Sequence, residues 1–405
     1  MQKCVLMISE AYYPSNFSGV HRSAANAKYL PHFGWTPVVV CKQFSSENSD
    51  GTYDPQLAAL PDICEVIRVR DTQNRFVKKA ERMFWRVFGG GNYDYRYPYL
   101  FYQKMKWASE QIVKKQKIDA IWATFVPGLD HKIADHLSRK YAIPWVADFR
   151  DLPDQSYMNR NIRYVVKQEI ETCSTAKAIV ATTDELAEKL RARHKAPVYT
   201  IFNGFDPDEF KTDTKPGDYG DKFTINHFGI LYEYRNPSNL FAAIDRLSQQ
   251  NKIKMNDIHI NFYGADSKKM VNGFARGYCC ASQVQTPDRL PYPKMVEYQK
   301  SSQILLIVTS PSQGGAIPAK LYGYLASGRP ILNIPGDGAG TDCILRQTKA
   351  GVSLSKPEEI ADWLERAYKN WKQTGIVEFS GDESEIQKYS RKTQAGQLAE
   401  ILEKR

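Results

Sequence analysis

The feature that most constrains the fold is an alternation of short apolar runs with helical patterns along all 405 residues. Most of these runs lack a polar face, which is typical of strands buried on both sides in a parallel sheet. The candidate strands are 5–9, 37–41, 120–124, 144–148, 178–182 and 198–202, then 224–229, 259–264, 304–309, 330–334 and 352–354. The helical patterns cover 20–32, 97–114, 129–141, 164–174 and 184–193, then 237–249, 292–301, 318–326, 343–348 and 357–371. The sequence therefore predicts an α/β protein with doubly wound, Rossmann-like sheets.

The length predicts two domains, since 405 residues exceed what one hydrophobic core usually supports. A segment rich in turn residues and poor in apolar ones, 203–222, separates the two sets of strands. We expect a first domain over 1–204 with an insertion at about 44–96, and a second domain over 205–382. A final helix over 383–405 has apolar residues at near-helical spacing: Ile386, Tyr389, Ala395, Leu398 and Leu402.

The net charge of +10 is concentrated in one segment. Residues 67–106 hold ten Lys or Arg against three Asp or Glu, a local excess of +7 that would attract phosphate groups. Within it, 75–88 places basic residues around an apolar helical face, which suits an anionic membrane surface. Two alternatives are packing of that face on the first domain and binding of single-stranded nucleic acid. No accompanying motif supports nucleic acid, and we expect none as a partner.

The sequence disfavours a membrane-spanning, secreted, zinc-binding or disulfide-stabilised protein. No run of about 18 apolar residues is present to span a membrane, and the N-terminal apolar run is short enough to be a first strand rather than a signal peptide. The seven cysteines form no C-x-x-C pair, so neither a zinc site nor a disulfide framework is predicted. We expect a cytoplasmic protein, with peripheral binding to the inner face of the cell membrane through 75–88 as an option.

A phosphate site is predicted around I-P-A-K-L-Y-G-Y-L-A-S-G-R-P-I-L, residues 317–332. A glycine turn, Gly314 and Gly315, precedes a helix that carries Lys320 in its first turn. Free backbone N–H groups at a helix N-terminus suit a phosphate, and a lysine there adds positive charge.

The same stretch resembles the donor-binding segment of retaining glycosyltransferases of the GT-B fold, the family-4 group, in the branch that makes bacterial surface polysaccharides. A second match is G-I-L-Y-E-Y-R-N-P, residues 229–237, where the family has a glycine closing a strand and a basic residue on the donor diphosphate. The resemblance implies two Rossmann-like domains with a donor cleft between them and a C-terminal helix that crosses back to the first domain. The first domain would lie on the acceptor side, and the second would bind the nucleotide sugar.

The resemblance also implies site residues. Arg235 and Lys320 would neutralise the leaving diphosphate and are the candidate catalytic residues. The remaining donor-binding candidates are Gly19, Gly229, Gly314, Gly315, Ala316, Ile317, Tyr322 and Gly323. Gly315 and Gly323 stand where the family carries its two glutamates, the second of which holds the nucleotide ribose. The nucleotide is then held differently, or the donor is unusual, or catalysis has been lost.

Acceptor-side residues are predicted from P-W-V-A-D-F-R-D, residues 144–151, and P-G-L-D-H, residues 127–131, which are similar to segments of the same branch. His131, Asp148 and Arg150 would orient an acceptor hydroxyl or the donor pyrophosphate, and a structural salt-bridge network is the alternative. The expected partners are a nucleotide sugar and a glycan or lipid-linked acceptor.

No cofactor and no metal are expected. Asp206-Pro207-Asp208 spells D-x-D but fits an N-G-x-D turn in the linker. Two rivals to the transferase remain open: a non-catalytic subunit of the same fold that binds a partner or glycan, and a nucleotide-sugar epimerase.

Overall fold

The structure, a computed structural model, describes residues 2–17, 19–45, 53–71, 76, 79–80, 83, 99–125, 128–153, 162–218, 220–265, 268–310 and 317–404. The chain divides into two compact units, each described by itself below. Unit 1 comprises Met1–Asn203 with Arg391–Arg405, and unit 2 comprises Gly204–Ser390.

Unit 1 contains a parallel sheet of seven strands in the order β3-β2-β1-β4-β5-β6-β7. The strands are β1 Lys3–Ile8, β2 Trp35–Lys42, β3 Glu65–Val69, β4 Ala120–Phe125, β5 Trp145–Phe149, β6 Ala178–Ala181 and β7 Val198–Thr200. Its helices are α1 Val20–Tyr29, α2 Pro55–Ala58, α3 Tyr99–Lys115, α4 Leu129–Tyr141, α5 Ile162–Thr172 and α6 Asp184–Arg191, with 3-10 turns at Leu30–Phe33 and Cys173–Thr175.

Unit 2 contains a parallel sheet of six strands in the order β10-β9-β8-β11-β12-β13. The strands are β8 Phe223–Phe228, β9 Ile258–Tyr263, β10 Val284–Gln285, β11 Ile304–Val308, β12 Ile331–Ile334 and β13 Gly351–Ser353. The helices are α7 Ser238–Gln249, α8 Lys268–Ala275, α9 Tyr292–Ser301, α10 Lys320–Ala326, α11 Gly340–Thr348, α12 Pro357–Thr374 and α13 Glu383–Gln387, with 3-10 turns at Pro207–Phe210, Met255–Asp257 and Cys279–Gln283.

Both sheets confirm the predicted doubly wound α/β class. In each, the strand order reverses between the first strand and the fourth, at β1/β4 in unit 1 and β8/β11 in unit 2. Open sheets of this type bind ligands beyond the carboxyl ends of the strands at that reversal. The reversal points therefore locate the candidate sites.

The C-terminal helix α14, Arg391–Glu403, belongs to unit 1 and packs against α1. Leu398, Ala399 and Leu402 are buried in the same cluster as Val5 and Trp35. The single helix predicted from 383 onward is instead two helices, α13 in unit 2 and α14 in unit 1.

Candidate functional site

The carboxyl end of β8 is held by a tyrosine of α10. The backbone N–H of Phe228 donates to the hydroxyl oxygen of Tyr324, which is fully buried, at 2.9 Å. Gly229 follows with a φ of +93°, a conformation that other residues adopt only under strain. A Cβ on Gly229 would lie 3.8 Å from Nζ of Lys320. The glycine turn that the sequence predicted to close the strand thus lies next to the predicted lysine.

Lys320 makes its shortest polar contact with a histidine of the sheet. Its Nζ lies 2.7 Å from Nε2 of His227 and 3.4 Å from the carbonyl oxygen of Ile230. Nδ1 of His227 lies 3.0 Å from the carbonyl oxygen of Leu306 on β11. Since a carbonyl only accepts, Nδ1 carries the proton, and Nε2 accepts from the lysine. Burial, and then the charge of Lys320, hold the pKa of His227 well below its usual value, so the imidazole is neutral.

Arg235 is the second cation of this site. Its guanidinium lies 5.5 Å from the ring centre of Tyr232 and 5.8 Å from that of Tyr234, and these two rings are stacked. Its Nε is buried and has no hydrogen-bond partner among the described residues. Burial, and then the charge of Arg235, lower the pKa of Lys320 to about 7. The sequence predicted both residues, and the structure brings them to the same edge of the unit 2 sheet.

The charge of this pair is not neutralised within the described part of unit 2. Over those residues, no carboxylate oxygen lies within 4 Å of Lys320 Nζ or of the Arg235 guanidinium. Two partly buried cations that repel each other are costly unless an anion lies beside them. The arrangement is therefore suited to binding a phosphate or diphosphate.

The helix α10 contributes less than the sequence suggested. It begins at Lys320 and has seven residues, so it is shorter than the predicted 318–326 and has a correspondingly weak dipole. Tyr322 is buried with its ring 5.9 Å from that of Tyr389, and Ile317 is half-buried. Gly314, Gly315 and Ala316 lie outside the described residues. The cations, rather than the helix end, carry the attraction for an anion.

Gly323 faces packed side chains. A Cβ there would lie 3.4 Å from Oε1 of Gln299 and 3.6 Å from the Phe210 ring. Oε1 of Gln299 also lies 3.3 Å from the hydroxyl of Ser327. Gln299 and Phe210 thus flank the direction in which a longer side chain at position 323 would project.

In unit 1, Asp148 at the end of β5 forms a buried ion pair with Arg22 of α1. Nε and Nη2 of Arg22 both donate to the carboxylate, the closest approach being 2.7 Å, and Thr124 donates to it at 2.9 Å. Asp148 has no exposed surface. The structural network left open as an alternative is therefore present, with Arg22 as the partner that the sequence analysis missed.

Arg150 lies one residue beyond β5, with its side chain against Gly19. Its Nε donates to the carbonyl oxygen of Phe125 at 2.9 Å. A Cβ on Gly19 would lie only 1.2 Å from its Nη1. The predicted acceptor-side arginine and the predicted glycine of the first loop thus form one contact at the carboxyl edge of the unit 1 sheet.

His131 is placed in the core rather than at an open edge. It is 2% exposed, its Nε2 lies 3.1 Å from the carbonyl oxygen of Ala123, and its ring is 4.7 Å from that of Phe149. Burial lowers its pKa to about 4. An acceptor hydroxyl could not reach this imidazole without moving the surrounding core, so we assign His131 to packing.

Neither a metal cluster nor a membrane span is found within the described ranges. There, no group of three His, Cys, Asp or Glu lies close enough to hold a metal ion. Asp206 of the D-x-D sequence accepts from the backbone N–H of Asp208 at 3.0 Å, as expected of a turn. Among the same residues, no helix combines the length and the apolar character needed to cross a membrane. Most of the predicted surface helix 75–88 lies outside the described residues.

Comparison with known proteins identifies the fold. No family model matches the sequence, and no curated protein matches it. Among solved structures, the chain is similar to HepE of Anabaena in complex with UDP and glucose, with a TM-score of 0.64, 12% identity and 99% of each chain covered. A glycosyltransferase from Rickettsia africae has a TM-score of 0.61 and 13% identity, covering 99% of this chain and 98% of that chain. A putative UDP-N-acetylglucosamine 2-epimerase from Listeria monocytogenes has a TM-score of 0.54 and 12% identity, covering 98% and 95%.

These neighbours, with the two parallel sheets of seven and six strands, show that the chain has the GT-B fold. At such low identity the likeness extends to the fold alone.

Proposed function

We propose that the protein is a retaining glycosyltransferase that moves a sugar from a nucleotide-sugar donor to a hydroxyl of a glycan acceptor. The observation that carries the proposal is the pair of cations, Lys320 and Arg235, at the strand-order reversal of unit 2 without a carboxylate beside either in the described residues. Such a pair suits the diphosphate of a nucleotide sugar. HepE, which has this fold, was crystallised with UDP and with UDP-glucose, and this supports the choice of donor class.

The chemistry follows from what the cations would do for the leaving group. Transfer breaks the bond between the anomeric carbon and the diphosphate oxygen and forms one to the acceptor oxygen. The acceptor proton passes to the departing diphosphate. Negative charge grows on that diphosphate as the bond breaks, so Lys320 and Arg235 would stabilise the transition state more than the bound donor.

The acceptor side belongs to unit 1 in this proposal. Arg150, lying against Gly19 at the carboxyl edge of that sheet, is the residue we expect to contact the acceptor. The resemblance to the surface-polysaccharide branch favours a lipid-linked glycan as acceptor. Asp148 would act indirectly, by holding Arg22 and with it the start of α1.

We propose further that transfer needs no divalent cation, because two side-chain cations are available for the diphosphate. Activity should then be unchanged by an excess of EDTA. A loss that added Mg²⁺ or Mn²⁺ restores would contradict this.

The experiment is calorimetric titration of the purified protein with UDP, GDP and their common sugar conjugates, repeated with Lys320→Ala. The control is Lys369→Ala, which removes a lysine that pairs with Glu365 on α12, a different part of unit 2. We expect micromolar binding of one nucleotide, at least tenfold weaker in Lys320→Ala and unchanged in Lys369→Ala.

The two rivals give different results in the same preparation. A folded protein that binds no nucleotide would favour the non-catalytic subunit. An epimerase would convert the bound nucleotide sugar without any acceptor, which NMR of the donor incubated alone would show, whereas a transferase would need the acceptor.

A further inference from the structure

We propose that His227 is a positioning residue for the anion site: its Nε2 accepts a hydrogen bond from the Lys320 ammonium and fixes that group at the carboxyl edge of the unit 2 sheet. The proposal rests on the proposed function and assigns a role to a residue that the sequence analysis did not select. His227 is fully buried, so it would act through Lys320 without touching the ligand.

The sheet holds the imidazole in one tautomer and one orientation. Its Nδ1–H donates to the carbonyl oxygen of Leu306 at 3.0 Å, across the β8–β11 reversal point, and its ring packs 5.6 Å from that of Phe262. Nε2 is therefore left as an acceptor, and Nζ of Lys320 donates to it at 2.7 Å. A lysine side chain has four rotatable bonds, so an acceptor at this distance removes much of its freedom before any ligand binds.

In the described residues, the two ionisable groups that act on Lys320 are both bases. His227 faces it from β8, and Arg235 acts on it from the loop after β8. Because His227 stays neutral, it orients the ammonium without cancelling its charge. A carboxylate in the same place would neutralise that charge. Once Lys320 is protonated, its positive charge thus remains available to an incoming phosphate.

Proton uptake should accompany anion binding. In the free protein, burial and Arg235 lower the pKa of Lys320 to about 7, so the amine is mostly neutral at pH 8. A bound diphosphate favours the charged form and raises that pKa, so the lysine takes a proton from solvent. Proton uptake therefore identifies Lys320 as the group that meets the anion, and the affinities of the His227 variants test whether the imidazole positions it.

The experiment is calorimetric titration at pH 8 in buffers of different ionisation enthalpy, with inorganic pyrophosphate and UDP as probes. The variants are His227→Leu, which removes the acceptor, and His227→Gln, whose side-chain oxygen can replace it. His259→Leu is the matched control, since His259 is near the start of the adjacent strand β9. Lys320→Met identifies the group that takes the proton.

We expect uptake of close to one proton by the wild type and by His259→Leu, and none by Lys320→Met. His227→Leu should bind both probes at least tenfold more weakly, whereas His227→Gln should stay within about threefold of the wild type. Wild-type affinity for both probes in a folded His227→Leu protein would overturn the proposal, as would a wild type that binds neither probe. A protein that binds pyrophosphate but does not bind UDP would leave the role of His227 intact and contradict the proposed function.

Discussion

The guanidinium of Arg150 occupies the space beside Gly19 that any other residue's side chain would need, since a Cβ there would lie 1.2 Å from Nη1. The backbone of Gly19 has a φ of −72°, which suits every residue type, so the requirement for glycine is steric. Gly19→Ala should therefore displace Arg150 without straining the loop.

If Arg150 contacts the acceptor, Gly19→Ala should lower kcat/KM for transfer roughly 10- to 100-fold, a loss of about 1.4–2.7 kcal/mol of transition-state stabilisation. Nucleotide affinity should be unchanged, because the proposed diphosphate site is in unit 2. Gly273→Ala is the control, since a Cβ there meets nothing within 4 Å. Full activity in Gly19→Ala would show that the position of Arg150 does not matter for transfer.

The ion pair between Arg22 and Asp148 should be essential to the stability of unit 1. Removing either partner leaves a buried charge unpaired, so Arg22→Met or Asp148→Leu alone should cost about 3–5 kcal/mol. The double variant should be less destabilised than the sum of the singles, because no lone charge remains. Hydrogen exchange of peptides from β5 would measure these changes in the free energy of unfolding. The exposed pair of Glu185 and Lys189 is the control, since removing it should cost less than about 0.5 kcal/mol. Additive losses would contradict the coupling.

Lys320 should destabilise the free protein near neutral pH. Its folded pKa of about 7 is below the usual lysine value, so the cost of burying its charge is complete below pH 7 and is relieved as the pH rises toward 10.5. Lys320→Met should accordingly be more stable than the wild type by about 2 kcal/mol at pH 6, after allowance for partial exposure. The difference should shrink toward pH 9, as measured by hydrogen exchange of β8 and β11. A difference independent of pH would rule out the lowered pKa.

Substitution of Gly323 tests whether a carboxylate at this position would improve nucleotide binding. Gly323→Ala should stabilise unit 2 by about 0.5–1 kcal/mol, because its Cβ makes ordinary contacts and a helical glycine is removed. Gly323→Glu should not improve nucleotide affinity, because Gln299 and Phe210 flank the new side chain. A gain above about fivefold in Gly323→Glu, absent from Gly323→Ala, would instead indicate a degenerate nucleotide site.

The fold was largely predictable from the sequence because most residues of the buried strands are apolar. All the predicted strands are present, whereas β3 and β10 were missed. Both are edge strands: β3 carries Glu65 and Arg68, and β10 has two residues, so neither has the apolar run of a central strand. An edge strand does not need to be apolar along its whole length, and the prediction depended on finding apolar runs.

The candidate sites were less predictable than the fold, because the side chains that contact each other there are distant in sequence. Lys320 and Arg235 were identified by motif. His227 belongs to neither motif, and its contact with Lys320 arises only where β8 lies beside α10 in the fold. Arg22 and Asp148 are 126 residues apart, and only the register of the sheet brings them together. The available signal for His227 was a histidine within a predicted buried strand, two positions before a glycine turn.

The central claim is that Lys320 and Arg235 bind the diphosphate of a nucleotide sugar. The most direct measurement is the affinity of UDP and of uridine for the wild type, Lys320→Met, Arg235→Met and the double variant, by calorimetry. We predict that each single change weakens UDP binding about 10- to 100-fold, that the double change weakens it further, and that uridine binding is unaltered. Equal losses for UDP and uridine, or no loss for UDP, would contradict the account.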